Sequence, residues 1–371
     1  MARGWAVAAT MAAAGLAVAG AVRIRTSPWP SVRLIRAVFD RDAAKTVAEM
    51  ERHAPAGVFR ELRDVPYDSA HSSGRSTCTF DLVAPVDADG PLPVVVWIHG
   101  GAWISGSKAH VAPYLRHFAA AGCIGVALDY TIAPEAAYPT AVQQLDDAIA
   151  HLVAHSDDLG IDPTRIVLAG DSAGAQLASQ LASQLTAAIV DPSSAARTGI
   201  RPSLARDHLR GVVLHCGIYD LEALAHLTGV IEWGLKSALW AYTGQRDWSH
   251  TEAAGSMSTI HAVTGDWPPA FVSGGNGDGL TAIQSVPLSE RMRAAGVDVT
   301  TLFWPPEHTP ALPHEYQFHL DFPDARHALA ATLDFLARVA SPSPDRQGDP
   351  PARPQPAATT GSPPGPAHPT P

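Results

Sequence analysis

Gly170-Asp171-Ser172-Ala173-Gly174 follows a short apolar run, Arg165–Ala169, and opens a helix-like stretch, Ala173–Ile189. A serine between a strand and a helix lies on a sharp turn that projects its hydroxyl from the edge of a sheet. The strained backbone of such a turn tolerates only small neighbours, which Gly170 and Gly174 supply. The N-terminus of the helix also points backbone N–H groups at any negative charge that develops there. The pattern predicts that Ser172 is a nucleophile.

The rest of the chain alternates strand-like and helix-like segments. Short, nearly continuous runs of Val, Ile and Leu between helices indicate a mainly parallel sheet that is covered on both faces, which is an α/β fold. The predicted strands are Thr77–Val83, Val94–His99, Ile124–Leu128, Arg165–Ala169, Gly211–His215, Ala270–Ser273 and Val299–Phe303. The predicted helices are Ala141–His155, Ala173–Ile189, Gln284–Ala295 and Asp324–Val339.

A second glycine-rich motif, His99-Gly100-Gly101-Ala102-Trp103, directly follows the strand-like run that ends at Ile98. Attack on a carbonyl creates an oxyanion, which needs N–H donors already aimed at one point. Glycine-rich loops can aim successive N–H groups because they adopt backbone angles that side chains forbid. Alone, this motif is more typical of a tight turn after a strand. Two such motifs in this order favour an oxyanion loop.

Several motifs together resemble the hormone-sensitive-lipase-like branch of the α/β-hydrolases, whose esterases carry an HGG motif upstream of a GDSAG turn. The resemblance spans Pro93–Val339 and is strongest over Pro93–Leu177. It implies an α/β-hydrolase fold with a mainly parallel central sheet, flanking helices and small helical insertions. The motifs that carry it are His99–Trp103, Asp129-Tyr130, Ala133-Pro134-Glu135, Tyr138-Pro139, Asp162-Pro163 and Gly170–Gly174.

The resemblance also implies an oxyanion hole, with one departure from the family pattern. The family often has a third glycine where this chain has Ala102. The N–H group of an alanine remains available, so the expected donors are those of Gly101, Ala102 and Ala173. His99, Gly100 and Asp171 are expected to support the two motifs.

The acid and the base should follow the serine, because this fold uses the order Ser, acid, His. Asp278 is the only carboxylate in the glycine-rich loop 274–279, which resembles the family's GxxDPL loop with Gly279 in place of proline. Asp266 is the nearest alternative, but it precedes the strand. His314 opens a HEYQF stretch that some esterases of this type carry, and His308 on the same loop is the alternative base.

Two further groups of residues have open interpretations. Glu135 and Tyr130 are expected to brace the loop behind the site rather than to touch substrate. The insertion Leu221–Val263 carries Trp233, Trp240, Tyr242 and Trp248. These aromatic side chains either shape the acyl pocket, together with Trp103, or belong to the core.

Composition excludes some classes of protein. The chain has 371 residues and a net charge of -10, without a basic stripe, which argues against nucleic-acid binding. Cys78, Cys123 and Cys216 are widely separated and lie in apolar runs. Their spacing indicates neither a disulfide framework nor a metal site. We therefore expect no metal and no cofactor.

The two ends of the chain differ from its body. Residues 1–27 contain an uncharged run, Trp5–Val22, that predicts a signal peptide or membrane anchor, and a soluble Ala-rich helix is the alternative. The protein is thus expected to be membrane-associated or exported, on an undefined side of the membrane. Residues 28–64 are predicted to form two helices as a lid or as packing, before a catalytic domain at 65–340. Residues 341–371 are Pro-rich and predicted to be disordered.

The expected function is hydrolysis of a small-molecule ester with a short- to medium-chain acyl group. Ser172 would attack the ester with His314 as base and Asp278 as its partner, through an acyl-enzyme. Activity should fall once the imidazole is protonated, below about pH 6–7. An amidase or peptidase could use the same residues on a harder substrate. A catalytically silent binding module of this fold would be expected to lack a triad member.

Overall fold

The computed structural model describes residues 25–72, 78–190, 198–200 and 202–341. Its eight strands form one sheet, which is parallel except at one edge, where β2 pairs antiparallel with both β1 and β4. The strands are β1 (Phe59–Pro66), β2 (Thr79–Pro85), β3 (Leu92–Ile98), β4 (Ile124–Leu128), β5 (Ile161–Asp171), β6 (Leu209–His215), β7 (Ala270–Gly274) and β8 (Val299–Phe303). Their order across the sheet is β1-β2-β4-β3-β5-β6-β7-β8.

Helices cover both faces of this sheet. The α-helices are α1 (Trp29–His53), α2 (Ala112–Ala120), α3 (Thr140–Ala154), α4 (Ser156–Leu159), α5 (Ala173–Val190), α6 (Gly229–Thr243), α7 (Glu252–Met257), α8 (Val286–Ala294) and α9 (Pro323–Val339). Side chains of α2 and α9 pack on one face, and those of α3, α5 and α8 pack on the other.

The central strands are apolar along their whole length because both of their faces are buried. In β3, Val94 and Val96 lie in the core on one face, whereas Val95 and Trp97 lie in the core on the other. All four side chains are at most 1% exposed. The continuous Val and Ile runs therefore predicted a doubly covered sheet correctly, and the α/β-hydrolase architecture is confirmed.

The N-terminal part differs from the sequence-based prediction. The two helices expected in residues 28–64 form one continuous helix, α1, of 25 residues. The end of that segment is not helical, because residues 59–66 form β1 and pair with β2. This strand mixes charged and apolar residues, since it is an edge strand and none of its side chains is fully buried. Helix α2 was also not predicted from the sequence.

The expectation of a membrane-associated or exported protein is corrected here. Within the part of the chain that the structure describes, no helix combines the length and the apolar character that crossing a membrane requires. The run Trp5–Val22, on which that expectation rested, lies outside the described residues, as does the Pro-rich segment 342–371.

Candidate active site

Ser172 occupies the turn between β5 and α5. Its backbone is left-handed, with φ of 51°, and its N–H donates to the carbonyl oxygen of His215 over 2.9 Å. Position 174 requires glycine because the backbone at the end of β3 lies close to it, and a Cβ there would overlap the carbonyl oxygen of Ile98. These constraints hold the serine at the carboxyl edge of the parallel strands.

Asp278 and His314 meet Ser172 at this edge. Nε2 of His314 lies 2.9 Å from Oγ of Ser172, and Nδ1 lies 2.8 Å from Oδ2 of Asp278. The other oxygen of Asp278 accepts the N–H of Leu280 over 2.9 Å. The structure therefore brings together the three residues that the sequence selected, in the geometry of a nucleophile, a base and an orienting acid.

The loops that carry Asp278 and His314 are fastened to each other by Asn276. Its side-chain amide donates to the carbonyl oxygen of His308, and its Oδ1 accepts the N–H of Leu312, both over 2.9 Å. The N–H of Gly277 also donates to the carbonyl oxygen of Leu312 over 2.9 Å. This role of Asn276 was not predicted from the sequence. Its place beside a candidate acid, in a loop otherwise made mostly of glycine, was the available signal.

The alternative residues lie elsewhere. His308 pairs with Asp324 at 3.2 Å and packs its ring against Trp304. Asp266 forms an ion pair with Arg206 at 2.7 Å, with both side chains roughly half exposed. Neither alternative lies within reach of Ser172.

The oxyanion loop, residues 99–106, turns sharply after β3. Gly101 and Ala102 both have left-handed backbones, with φ of 106° and 52°. The N–H of Gly100 is engaged by Oδ2 of Asp171 over 2.9 Å. A left-handed φ at position 102 explains physically why glycine is common there, because it spares the steric cost that a Cβ incurs.

His99 supports this loop from behind. Its ring stacks on Tyr130 at 4.4 Å, and the Tyr130 hydroxyl donates to the carbonyl oxygen of His99 over 3.0 Å. Burial lowers the pKa of His99 to about 4, so the ring is neutral at physiological pH. Tyr130 thus braces the loop.

The electrostatics of His314 favour its protonated form. Burial alone would lower the pKa, but the charge of Asp278 and the hydrogen bond to it outweigh burial. Together they raise the pKa of His314 to about 9. The site is therefore built to stabilise an imidazolium, which is the species that forms when the histidine takes a proton from serine.

A cavity of about 970 Å³ opens over Ser172. Helices α1 and α6 form two of its walls. Helix α1 also packs on the core through Val32, Ile35 and Met50. The walls carry large apolar side chains that are at least 40% exposed: Leu34, Val38, Phe39, Val230, Ile231 and Trp233.

Arg36 ties the N-terminal half of α1 to the loops behind the site. Arg36 forms a bidentate pair with Glu135, at 2.8 and 2.6 Å, and also donates to the carbonyl oxygens of Ala133 and Ile104. Glu135 therefore anchors the wall of the cavity instead of facing substrate.

The aromatic insertion is mostly core. Trp103 and Tyr242 are buried and stacked at 5.5 Å, and Trp248 is also buried. Of the aromatic residues proposed as pocket walls, Trp233 lines the cavity. Trp103, Tyr242 and Trp248 thus belong to the core and do not line the cavity.

Three side chains that could ligate a metal ion also meet at this site. In the described ranges, Cys216, Asp278 and His314 form one group whose ligand atoms all lie within 4.8 Å of one another. Because the Asp278–His314 hydrogen bond already uses two of these side chains, we assign them to the triad.

A known protein family matches much of this chain. The family model described as BD-FAE matches residues 80–292, more than half of the chain. The chain belongs to the BD-FAE family. This BD-FAE protein resembles carboxylesterase NlhH of Mycobacterium tuberculosis, with 30% identity over 250 residues that cover 67% of this chain and 74% of NlhH. It is 28% identical to the probable carboxylic ester hydrolase LipM of the same organism over 62% of this chain, but that match spans only 52% of LipM.

Solved structures show the same fold. Esterase B from Lactobacillus rhamnosis superposes with a TM-score of 0.68 at 22% identity, covering 84% of this chain and 96% of that one. The resemblance to hormone-sensitive-lipase-like esterases is confirmed by these matches, and the BD-FAE protein is a carboxylesterase-type hydrolase.

Proposed function

We propose that this protein hydrolyses carboxylic esters through an acyl-enzyme formed on Ser172. The observation that carries the proposal is the continuous line of hydrogen bonds from Ser172 through His314 to Asp278, at 2.9 and 2.8 Å. The line ends at the floor of a large cavity that is open to small molecules. Such a constellation serves acyl transfer on many folds.

In the proposed mechanism, Nε2 of His314 takes the hydroxyl proton as Oγ of Ser172 bonds to the ester carbonyl carbon. The carbonyl oxygen becomes an oxyanion, which the N–H groups of Gly101, Ala102 and Ala173 stabilise. Asp278 holds the imidazole tautomer and stabilises the imidazolium. His314 then gives the proton to the departing alcohol, and water attacks the acyl-enzyme by the same route in reverse, releasing the acid.

The apolar walls from α1 and α6 support short- to medium-chain acyl groups as substrates. Each methylene that these walls bury should gain about 0.8 kcal/mol. Since Trp103, Tyr242 and Trp248 do not line the cavity, Trp233 is left as the wall residue of the aromatic insertion. We propose that kcat/KM rises with acyl length to a maximum between about four and eight carbons.

Steady-state and stopped-flow kinetics on p-nitrophenyl esters from acetate to palmitate test this proposal, with matched p-nitroanilides as the comparison. We expect a burst of p-nitrophenol equal to the enzyme concentration, and ester rates far above amide rates. Faster anilide hydrolysis would favour an amidase, and no turnover of any ester would favour a binding module. A maximum at acetate would show that the apolar walls do not hold the acyl group.

A further inference from the structure

Three active-site loops converge on a pair of carboxyl groups. Asp171, in the serine turn, is buried and accepts the indole N–H of Trp97 over 2.7 Å and the N–H of Gly100 over 2.9 Å. Oε1 of Glu315, next to the base, lies over the same glycine: a Cβ built on Gly100 would overlap Oδ2 of Asp171 and would be 2.9 Å from this Oε1. Two carboxylates cannot hydrogen-bond to each other unless one proton lies between them.

Glu315 is held in an unfavourable backbone conformation. Its φ is 60°, in the left-handed region that a glutamate rarely adopts. Its Oε1 lies 4.0 Å from Nε2 of His314, and its side chain is 36% exposed towards the cavity. A strained residue persists where surrounding contacts over-determine it, and such residues cluster at functional sites.

We propose that Asp171 and Glu315 share one proton, and that this hydrogen bond fastens the loop carrying His314 to the oxyanion loop. The bridge runs from Glu315 to Asp171 and on to Gly100, so it links the base to the loop that provides the oxyanion donors. Glu315 is therefore a positioning residue. Its effect on catalysis rests on the proposed hydrolysis of esters.

The proton belongs chiefly to Asp171. Burial, and then the neighbouring Glu315 carboxylate, hold the pKa of Asp171 well above its ordinary value. Asp171 accordingly donates to Glu315, which carries the negative charge into the cavity. That charge also contributes to the raised pKa of His314.

The other titratable groups facing the pair come from separate elements. They are His314 and Asp278 of the triad, His110 after β3, Cys216 after β6 and Tyr130 after β4. Burial lowers the pKa of His110 and raises those of Cys216 and Tyr130, so all three are uncharged between pH 7 and 9. His314 is the neighbour that must be removed from a titration in that range.

The test is the pH dependence of stability with and without the Glu315 carboxyl. The folded state keeps a proton on Asp171 that the unfolded chain releases near pH 4, so stability should fall as pH rises from there towards the raised folded pKa. A glutamine at 315 donates its amide N–H to an ionised Asp171 and needs no extra proton. Between pH 7 and 9, the folding constant should therefore fall up to tenfold per pH unit relative to the Glu315→Gln variant.

The protein with Glu315 and the Glu315→Gln variant should both carry His314→Gln, which removes the imidazole titration. Glu290→Gln, at an exposed position on α8, serves as the matched control. Denaturant unfolding at each pH gives the constants. A difference in folding constant between the Glu315 protein and Glu315→Gln that does not change with pH would overturn the proposal.

Infrared spectroscopy at pH 8 provides a second measurement, because the band of a protonated carboxylic acid should be present with Glu315 and absent in Glu315→Gln. Its presence in both, or in neither, would also overturn the proposal.

Catalysis is a further readout, measured in proteins that keep His314. Glu315→Ala should lower kcat for a p-nitrophenyl ester roughly ten- to a hundredfold with a smaller change in KM, because the base loses its alignment. Glu315→Gln should restore part of that loss. An equal loss in both variants would contradict the bridge. The stability and infrared readouts do not depend on turnover, so they separate failure of this proposal from failure of the ester-hydrolase function.

Discussion

Oγ of Ser172 and Nε2 of His314 lie 2.9 Å apart, although 142 residues separate them in the chain. The serine follows β5 and the histidine follows β8, and the parallel sheet aligns the ends of these strands at one edge. Because the hydroxyl is within hydrogen-bond reach of the imidazole, proton transfer needs no rearrangement of the loops.

Removing the base should abolish most of the activity. His314→Ala should lower kcat by roughly three orders of magnitude or more, because the serine loses its proton acceptor. His308→Ala is the matched control on the same loop, and it should change kcat little because His308 pairs with Asp324. Steady-state kinetics on a p-nitrophenyl ester check both variants. The reverse order of effects would transfer the base to His308.

The acid limb of the pH profile of kcat/KM should lie at higher pH than an ordinary imidazole would give. A pKa of His314 raised to about 9 means that the free enzyme carries an imidazolium at neutral pH. The neutral fraction, and with it kcat/KM, should therefore rise about tenfold per pH unit towards pH 9. This differs from the limb at pH 6–7 expected from sequence, because that expectation used the ordinary pKa of an imidazole and left out the effect of the Asp278 charge.

Asp278→Asn tests the cause of that displacement. The variant should lower kcat and move the limb to lower pH, since it removes the charge that stabilises the imidazolium. His308→Ala should leave the limb in place. A wild-type limb at or below pH 6.5 would contradict the electrostatic account.

Ala102→Gly should stabilise the protein. A Cβ in the left-handed region costs roughly 1–2 kcal/mol, and the extra freedom of glycine in the unfolded chain costs about 0.4–1 kcal/mol. The free energy of unfolding should thus rise by roughly 0.5 kcal/mol in urea titrations. Ala337→Gly, at an exposed position on α9, should instead lose about 1 kcal/mol. A loss at both positions would mean that the Ala102 methyl makes favourable contacts.

Arg36→Ala should loosen the N-terminal half of α1, although the buried Val32 and Met50 keep the helix on the body. The side chain pairs with Glu135 and donates to two carbonyl oxygens, and losing partly buried bonds of this kind costs about 2 kcal/mol. We also expect KM for medium-chain esters to rise, because α1 forms a wall of the cavity. Arg41→Ala, on the exposed side of the same helix, is the control. Equal KM values in the two variants would show that α1 does not contact substrate.

Local signals in the sequence were sufficient for the sheet and for the candidate triad. Buried parallel strands are apolar throughout, and a nucleophile turn needs glycines beside the serine, so β3 to β8 and Ser172 were recognisable. Asp278 and His314 followed from their order along the chain together with the resemblance of their loops to motifs of the family.

Features that depend on distant partners could not be recognised in this way. The edge strand β1 has a mixed pattern and is defined by its pairing with β2. Trp103 is aromatic like a pocket residue, but its contact with Tyr242 places it in the core. The Asp171–Glu315 pair joins residues 144 positions apart, and neither position carries a local mark of the other.

Fluorophosphonate labelling read by intact-protein mass spectrometry tests the central claim most directly. The wild-type protein should gain one phosphonyl group, peptide mapping should place it on Ser172, and ester hydrolysis should stop in proportion. Ser172→Ala should neither label nor hydrolyse esters, while its thermal unfolding should show that it remains folded. Labelling of another serine, together with a retained rate in Ser172→Ala, would contradict the account.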